Sequence, residues 1–315
     1  MTLPATTRLA PSPTGALHLG NLRTFLVNWA LARQEGWRIV LRIEDLDGPR
    51  VKPGAIEGSI ELLRWIGMDW DDGPVVQSSD LRPYAHAMAS LAERALAYPC
   101  ELTRSEIESA ASAPQEGGGE VAYPASLRPE LVCRAFEDEG TNWRLAVPDE
   151  VVEFRDIFVG DQRINAAQTV GDFVVWTKRG QPSYQLAVVV DDARQGITHV
   201  VRGDDLVDST ARQLLLYRML GLKPPEVWMH VPLVVGPDGR RLAKRHGDTR
   251  TAHYREHGVR PERIVGLIAK WCGIGEALRP MSSAEFCEGL DLARMPMDPV
   301  VFTQEDDAWL LGEID

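Results

Sequence analysis

Apolar side chains at Leu22, Phe25, Leu26 and Trp29 recur at helical spacing, which predicts a helix that stops at Gly36. A short strand over residues 8–10 precedes it, joined through the turn Pro11-Ser12-Pro13-Thr14-Gly15. The apolar, β-branched run over 37–43 reads as a second strand. Two strands joined by a helical crossover form a βαβ unit, so the opening of the chain predicts a parallel sheet. A second helix is expected over 55–66, closing at Gly67.

The pattern changes over residues 100–152. The stretch Ala113-Pro114-Gln115-Glu116-Gly117-Gly118-Gly119 has loop composition, and the region reads as an insertion between two halves of the sheet. Strand-like runs return at 173–176, 186–190 and 198–201, followed by a helix over 209–220. A strand-like run at 231–235 leads into a polar loop over 236–248. From about Thr251 the chain reads as helical, with Ile264, Leu267, Ile268 and Trp271 on one face. No internal repeat is visible.

Composition narrows the class. Charged residues are 25% of the 315 and apolar ones 44%, as in ordinary folded proteins. With 34 Lys plus Arg against 46 Asp plus Glu, the net charge of −12 argues against a protein that coats nucleic acid through bulk charge. The four cysteines, Cys100, Cys133, Cys272 and Cys287, form no CxxC pair and do not read as a disulfide framework. No stretch has the length of a membrane span and no leader is visible, so a cytoplasmic location is expected.

Two polar segments carry candidate chemistry. In Arg8-Leu9-Ala10-Pro11-Ser12-Pro13-Thr14-Gly15-Ala16-Leu17-His18-Leu19-Gly20-Asn21, small residues at a strand end let a ligand approach the backbone. The helix that follows offers unpaired N–H groups to an anion. His18 and Asn21 add side-chain donors, and Gly20 leaves room for a purine ring. Far along the chain, Gly239-Arg240-Arg241-Leu242-Ala243-Lys244-Arg245-His246-Gly247-Asp248 is a basic loop suited to stabilising charge on a phosphate under attack. Taken alone, each segment also reads as a polar turn or a solvated charge run.

Together they resemble the signature pair of the class I aminoacyl-tRNA synthetases, an HIGH-type box at His18-Leu19-Gly20-Asn21 and a KMSKS-type loop at Arg241-Leu242-Ala243-Lys244-Arg245. The surrounding text is similar to glutamyl-tRNA synthetases: the form Arg-x-Ala-Pro-Ser-Pro-Thr-Gly-x-Leu-His, then Arg42-Ile43-Glu44-Asp45, and Gln77-Ser78 through Tyr84. Val189-Val190-Asp191-Asp192, the run from Gly196 to Gly203, and Lys244-Arg245-His246-Gly247-Asp248 complete it in the correct order.

The resemblance implies an α/β fold: a Rossmann-like parallel sheet of the class I catalytic domain, with an inserted subdomain and a short helical C-terminal part. It divides the chain at residues 1–99 and 153–235 for the two catalytic halves, 100–152 for the insertion, and 236–315 for the loop and a stem-contact-like remnant. It implies attack of the glutamate α-carboxylate on the α-phosphorus of ATP. Arg8 and Arg202 are expected to meet the carboxylates, Glu44 the ammonium and Tyr184 one wall, with Ala10 and Ser12 beside them. Pro13, Thr14, His18, Gly20, Asn21, Leu242 and Lys244 are expected at ATP, with His18, Asn21 and Lys244 acting on the reacting phosphates and Mg²⁺ arriving on the nucleotide. Ala243 stands where the family has a small hydroxyl residue.

Only about 65 residues follow the basic loop, fewer than an anticodon-binding domain is expected to need, since domains usually take roughly 50 to 200 residues. The chain therefore resembles the truncated branch, the glutamyl-queuosine tRNA(Asp) synthetases. They esterify glutamate to queuosine at the wobble position. Leu46 and the segment from Arg202 to Thr210 favour that branch, whereas Lys244-Arg245-His246-Gly247 has the style of full-length enzymes. The branch often has a zinc site written Cys-x-Cys, then Tyr and Cys four residues apart. Here Cys100 fits, its partner position is Leu102, and Tyr123 and Cys133 lie ten apart, so bound zinc is not expected. The cations Arg240, Arg241, Lys244, Arg245, Arg250 and Arg255 form a patch that could steer an RNA stem-loop. A small-molecule nucleotidyltransferase, a non-catalytic relic, or an enzyme loading another tRNA or carrier remain alternatives.

Overall fold

Gly36 sets the first crossover: it takes the left-handed conformation (φ 68°) that lets its N–H close the helix end on the carbonyl of Ala32. The computed structural model describes residues 4–13, 17–110, 122–138, 140–240, 242, 248–275 and 277–313. The first strand is Thr6–Leu9, the helix Leu19–Glu35 and the second strand Arg38–Ile43, which pairs in parallel with the first. The expected helix is Ala55–Ile66, capped by Gly67. A third strand, Asp72–Val76, pairs in parallel with the second.

Two later strands, His199–Gly203 and Val227–Val231, also pair in parallel. Thr198 fastens them to the first strand: Thr6 N donates to Thr198 Oγ1 (2.8 Å) and Thr198 N donates to the Thr6 carbonyl (2.9 Å). Strands are thus added to one side of Thr6–Leu9 early in the chain and to its other side late. Open α/β sheets bind ligands outside the carboxyl ends of the strands at such a reversal.

These strands belong to one of two compact units, comprising the described residues within Met1–Val76, Ile197–Asp205 and Val227–Asp315. Its remaining helices include Thr251–Glu256, Pro261–Trp271, Ser283–Gly289 and Gln304–Leu311. Ile264, Leu267, Ile268 and Trp271 are buried, as their spacing predicts. Arg23, buried in the first helix, donates to the carbonyls of Pro232 and Trp271 and so joins three elements.

The second unit, Gln77–Gly196 and Leu206–Glu226, has a four-stranded antiparallel sheet in the order Ala97–Cys100, Asn142–Leu145, Val174–Thr177 and Gln181–Pro182. A hairpin, Val152–Asp156 with Gly160–Ile164, and the helices Arg82–Glu93, Tyr184–Gln195 and Val207–Leu220 complete its main elements.

Two expectations are corrected. Residues 186–190 are not a strand but part of the helix Tyr184–Gln195, whose middle is buried on every face. An apolar run of that kind has no polar side to mark its period, so strand and buried helix look alike. The strand expected over 231–235 instead lies at Val227–Val231, with a separate short strand at Val234–Val235. Pro232 has no N–H for a ladder and breaks the run. Among the described residues no helix is long and apolar enough to cross a membrane.

Candidate active site

Three charged side chains stand at the carboxyl ends of the central strands in the first unit. Arg8, on Thr6–Leu9, is buried and its guanidinium reaches the carbonyl of Val201 (3.4 Å). Asn28 of the first helix donates to the Arg8 carbonyl (2.9 Å) and accepts from Thr7 Oγ1 (2.9 Å), which fixes the strand at that point. Glu44 follows the second strand, and its N–H donates to the Pro11 carbonyl (3.0 Å), tying it to the turn after Arg8. Arg202, near the end of His199–Gly203, is 5% exposed.

Each of the last two has a neighbour that sets its direction. Arg42 is fully buried and its Nε and guanidinium lie 3.3 and 3.1 Å from Glu44 Oε1. Arg42 and Glu44 are two positions apart, hence on one side of an extended backbone. Arg202 Nε donates to His230 Nε2 at 3.0 Å.

The phosphate-binding candidates lie beside this group in sequence. His18 caps the helix Leu19–Glu35, with Nδ1 accepting from Asn21 N at 3.4 Å. That bond puts the proton of the neutral ring on Nε2, where it can be donated. Gly20 is needed by the cap as well: a Cβ there would sit 3.2 Å from two atoms of the His18 ring. Ala10 is half-buried, Pro13 buried and Ser12 exposed, while Thr14 lies outside the described residues.

The chain just after the basic loop meets the histidine box. Leu19 N donates to the Thr249 carbonyl (3.1 Å), and Thr251 N donates to the Leu17 carbonyl (2.8 Å), an antiparallel bridge centred on His18 and Arg250. On the loop's other flank, Leu242 is buried and its N–H donates to the Val234 carbonyl (3.3 Å). Both ends of the loop are therefore held in the unit that carries His18, Arg8 and Arg202. Lys244, Arg241, Ala243 and Arg245 lie outside the described residues. Of the remaining cations, Arg250 is bonded to Asp248 (Nε to Oδ1, 2.6 Å) and Arg255 lies 3.9 Å from Glu61. The Arg250 hydrogen bonds hold the Asp248 carboxyl at about 2. Burial, and then repulsion from Asp205, pushes the Asp204 carboxyl up.

Residues 4–302 match the family of class I tRNA synthetases (E and Q), catalytic domain. The chain belongs to that family. It is 45% identical over 318 residues to a glutamyl-Q tRNA(Asp) synthetase of Symbiobacterium thermophilum, covering 97% of this chain and 98% of that one. A second glutamyl-Q tRNA(Asp) synthetase, of Rhodopirellula baltica, is 46% identical over 90% of this chain and 88% of its own. The crystal structure of a glutamate tRNA ligase from Elizabethkingia meningosepticum in complex with its amino acid superposes with a TM-score of 0.80 at 29% identity. It covers 98% of this chain and 69% of the ligase.

In this class I synthetase the remaining expected residues belong to the second unit. Tyr184 is the first residue of the helix Tyr184–Gln195 and is 40% exposed. Cys100 and Tyr123 are buried together, with Sγ 3.7 Å from the phenol oxygen. Tyr123 Oη also lies within hydrogen-bond reach of the Leu127 carbonyl (3.1 Å). The branch's zinc pattern falls on Cys100, Leu102, Tyr123 and Leu127, and the two leucines pack against the cluster. One thiol and one phenol do not fit a zinc site. Cys133 is exposed. Among the described residues, no group of three or more His, Cys, Asp or Glu is placed to hold a metal ion.

Arg42 and His230, which contact Glu44 and Arg202, are not among the residues expected from the sequence. Alternation in Arg42-Ile43-Glu44 was a usable signal for the first. For His230 no local signal existed, because its pairing with Arg202 depends on strand register.

Proposed function

We propose that this chain activates L-glutamate with ATP, giving glutamyl-adenylate and pyrophosphate, and transfers the glutamyl group to queuosine at the wobble position of tRNA(Asp). One observation supports the amino-acid half: two buried arginines and an anchored carboxylate stand at the switch point of the sheet, in the unit that joins the histidine box to the basic loop. Arg8 and Arg202 suit the two carboxylates of glutamate and Glu44 suits its ammonium. The acceptor rests on the relatives named above.

The α-carboxylate is ionised at neutral pH, which lies far above the range where α-carboxyls titrate, so it attacks without a general base. A bond forms between its oxygen and the α-phosphorus, and the bond to the bridging oxygen breaks as pyrophosphate leaves. His18, Asn21 and Lys244 act on the charge that builds there, and alignment supplies the rest. Ala10, Ser12 and Pro13 line the turn between the two ligands, with Gly20 and Leu242 at the nucleotide. Mg²⁺ enters as part of the ATP complex. In the second step a queuosine hydroxyl attacks the acyl carbon and AMP departs. A reaction on ATP and tRNA fits a cytoplasmic location.

The test is incubation with labelled glutamate, ATP and tRNA(Asp) with and without queuosine. Label should appear only on the queuosine-containing RNA. Equal labelling of both, or labelling of tRNA(Glu), would overturn the assignment.

A further inference from the structure

Arg202 lies almost wholly inside the protein, where a guanidinium that is out of line cannot be corrected by water. Two residues of the adjacent strand Val227–Val231 meet it. In the parallel register Arg202 is opposite His230 and Val200 opposite Trp228. Residues 228 and 230 share one side of their strand by alternation, as 200 and 202 share one side of theirs. His230 Nε2 accepts from Arg202 Nε at 3.0 Å, and the guanidinium carbon stands 5.3 Å from the centre of the Trp228 ring. His230 is completely buried and Trp228 nearly so.

The chemistry of this pair is asymmetric. Arginine stays protonated and has only donors, so His230 can receive its Nε–H only through an unprotonated Nε2. The imidazole is therefore neutral in this arrangement, with its proton on Nδ1. The bond fixes one edge of the guanidinium plane, and the indole limits the excursion of the group as a whole. A planar fork binds a carboxylate through two parallel bonds only when the planes agree. Fixing that plane before the ligand arrives removes an ordering cost from binding.

We propose that His230 is a positioning residue for amino-acid recognition, setting the plane in which Arg202 meets a carboxylate of the substrate, with Trp228 as its support. The inference rests on the reading of Arg202 as a glutamate-binding residue. It assigns His230 no part in the phosphate chemistry.

The experiment compares His230→Gln and His230→Asn by glutamate-dependent pyrophosphate exchange, with Arg202→Gln as reference and thermal melts of each. A glutamine oxygen reaches the place of Nε2, whereas an asparagine oxygen stops near Nδ1. Both variants are polar and of similar size, so a loss confined to one is not a general packing defect. His230→Asn should raise KM for glutamate about tenfold or more, the ~1.4 kcal/mol of one well-made charged hydrogen bond. KM for ATP should stay within about twofold, and His230→Gln should restore KM for glutamate to within about threefold of the parent. If Arg202→Gln raises KM for glutamate and both His230 variants leave it unchanged, the positioning role is wrong while the site reading stands. Equal changes in the KM values for glutamate and ATP would also overturn it. If Arg202→Gln itself leaves KM for glutamate unchanged, the reading beneath the inference fails.

Discussion

Gly20 shows how closely one atom is specified in the first helix. A methyl group there would lie 3.2 Å from Cε1 and Nδ1 of His18, tighter than side chains normally pack, and 3.4 Å from Val234 Cβ. The ring must then give by a few tenths of an ångström, which strains its bond from Asn21 N. Helix propensity alone would favour alanine by up to ~1 kcal/mol, so local helix stability and site geometry pull in opposite directions. Gly20→Ala is expected to lower kcat of adenylate formation about tenfold, equivalent to ~1.4 kcal/mol of transition-state stabilisation, while leaving the melting temperature unchanged or slightly raised. Stopped-flow or pyrophosphate exchange checks the first, and calorimetry the second. An unchanged kcat would mean that His18 does not act from the position its cap defines.

At the scale of elements, the first crossover was readable because its signals are local: periodic apolar residues, a glycine at the stop, a proline-rich turn at the start. The helix Ala55–Ile66 was readable for the same reason. The helix Tyr184–Gln195 was not, since burial erased the contrast between its faces, although Ser183 and Gly196 at its ends were the better evidence. Of the site, the two sequence boxes and the charged residues Arg8, Glu44 and Arg202 were legible as residue types. Their supports were not, because Arg202 meets His230 through a register spanning 28 positions.

The Cys100 cluster belongs to the same scale. Its sulfur and the Tyr123 phenol are in contact among Tyr98, Ile107, Leu102 and Leu127, which gives this part of the second unit an apolar interior. Burial pushes the Tyr123 phenol up. Dialysis against EDTA should therefore leave the melting temperature and the exchange rate unchanged once Mg²⁺ is restored for ATP. A structural zinc would make folding depend on the metal, and its removal would lower the melting temperature sharply.

For the whole molecule the question is how a chain of net charge −12 meets an RNA. Repulsion between them is screened beyond about 8–10 Å at physiological salt, so the local patch decides. The six cations Arg240, Arg241, Lys244, Arg245, Arg250 and Arg255 would release enough counterions for a slope of log K against log salt near −5, at about −0.7 to −0.9 per phosphate contact. Two of the six already have carboxylate partners. Asp248, with its pKa at about 2, stays ionised at any working pH and keeps Arg250, and Glu61 stands beside Arg255. With those two pairs kept, at most four of the six can meet phosphates, and the slope is expected to be no steeper than about −3.5. Filter binding of queuosine-containing tRNA(Asp) between 50 and 300 mM KCl measures it. Asp248→Asn should release Arg250 and steepen the slope by about one contact. A slope near −5 in the parent protein would mean that the arginines exchange their carboxylates for phosphates on binding, and that the ion pairs at the loop are a resting arrangement which RNA displaces.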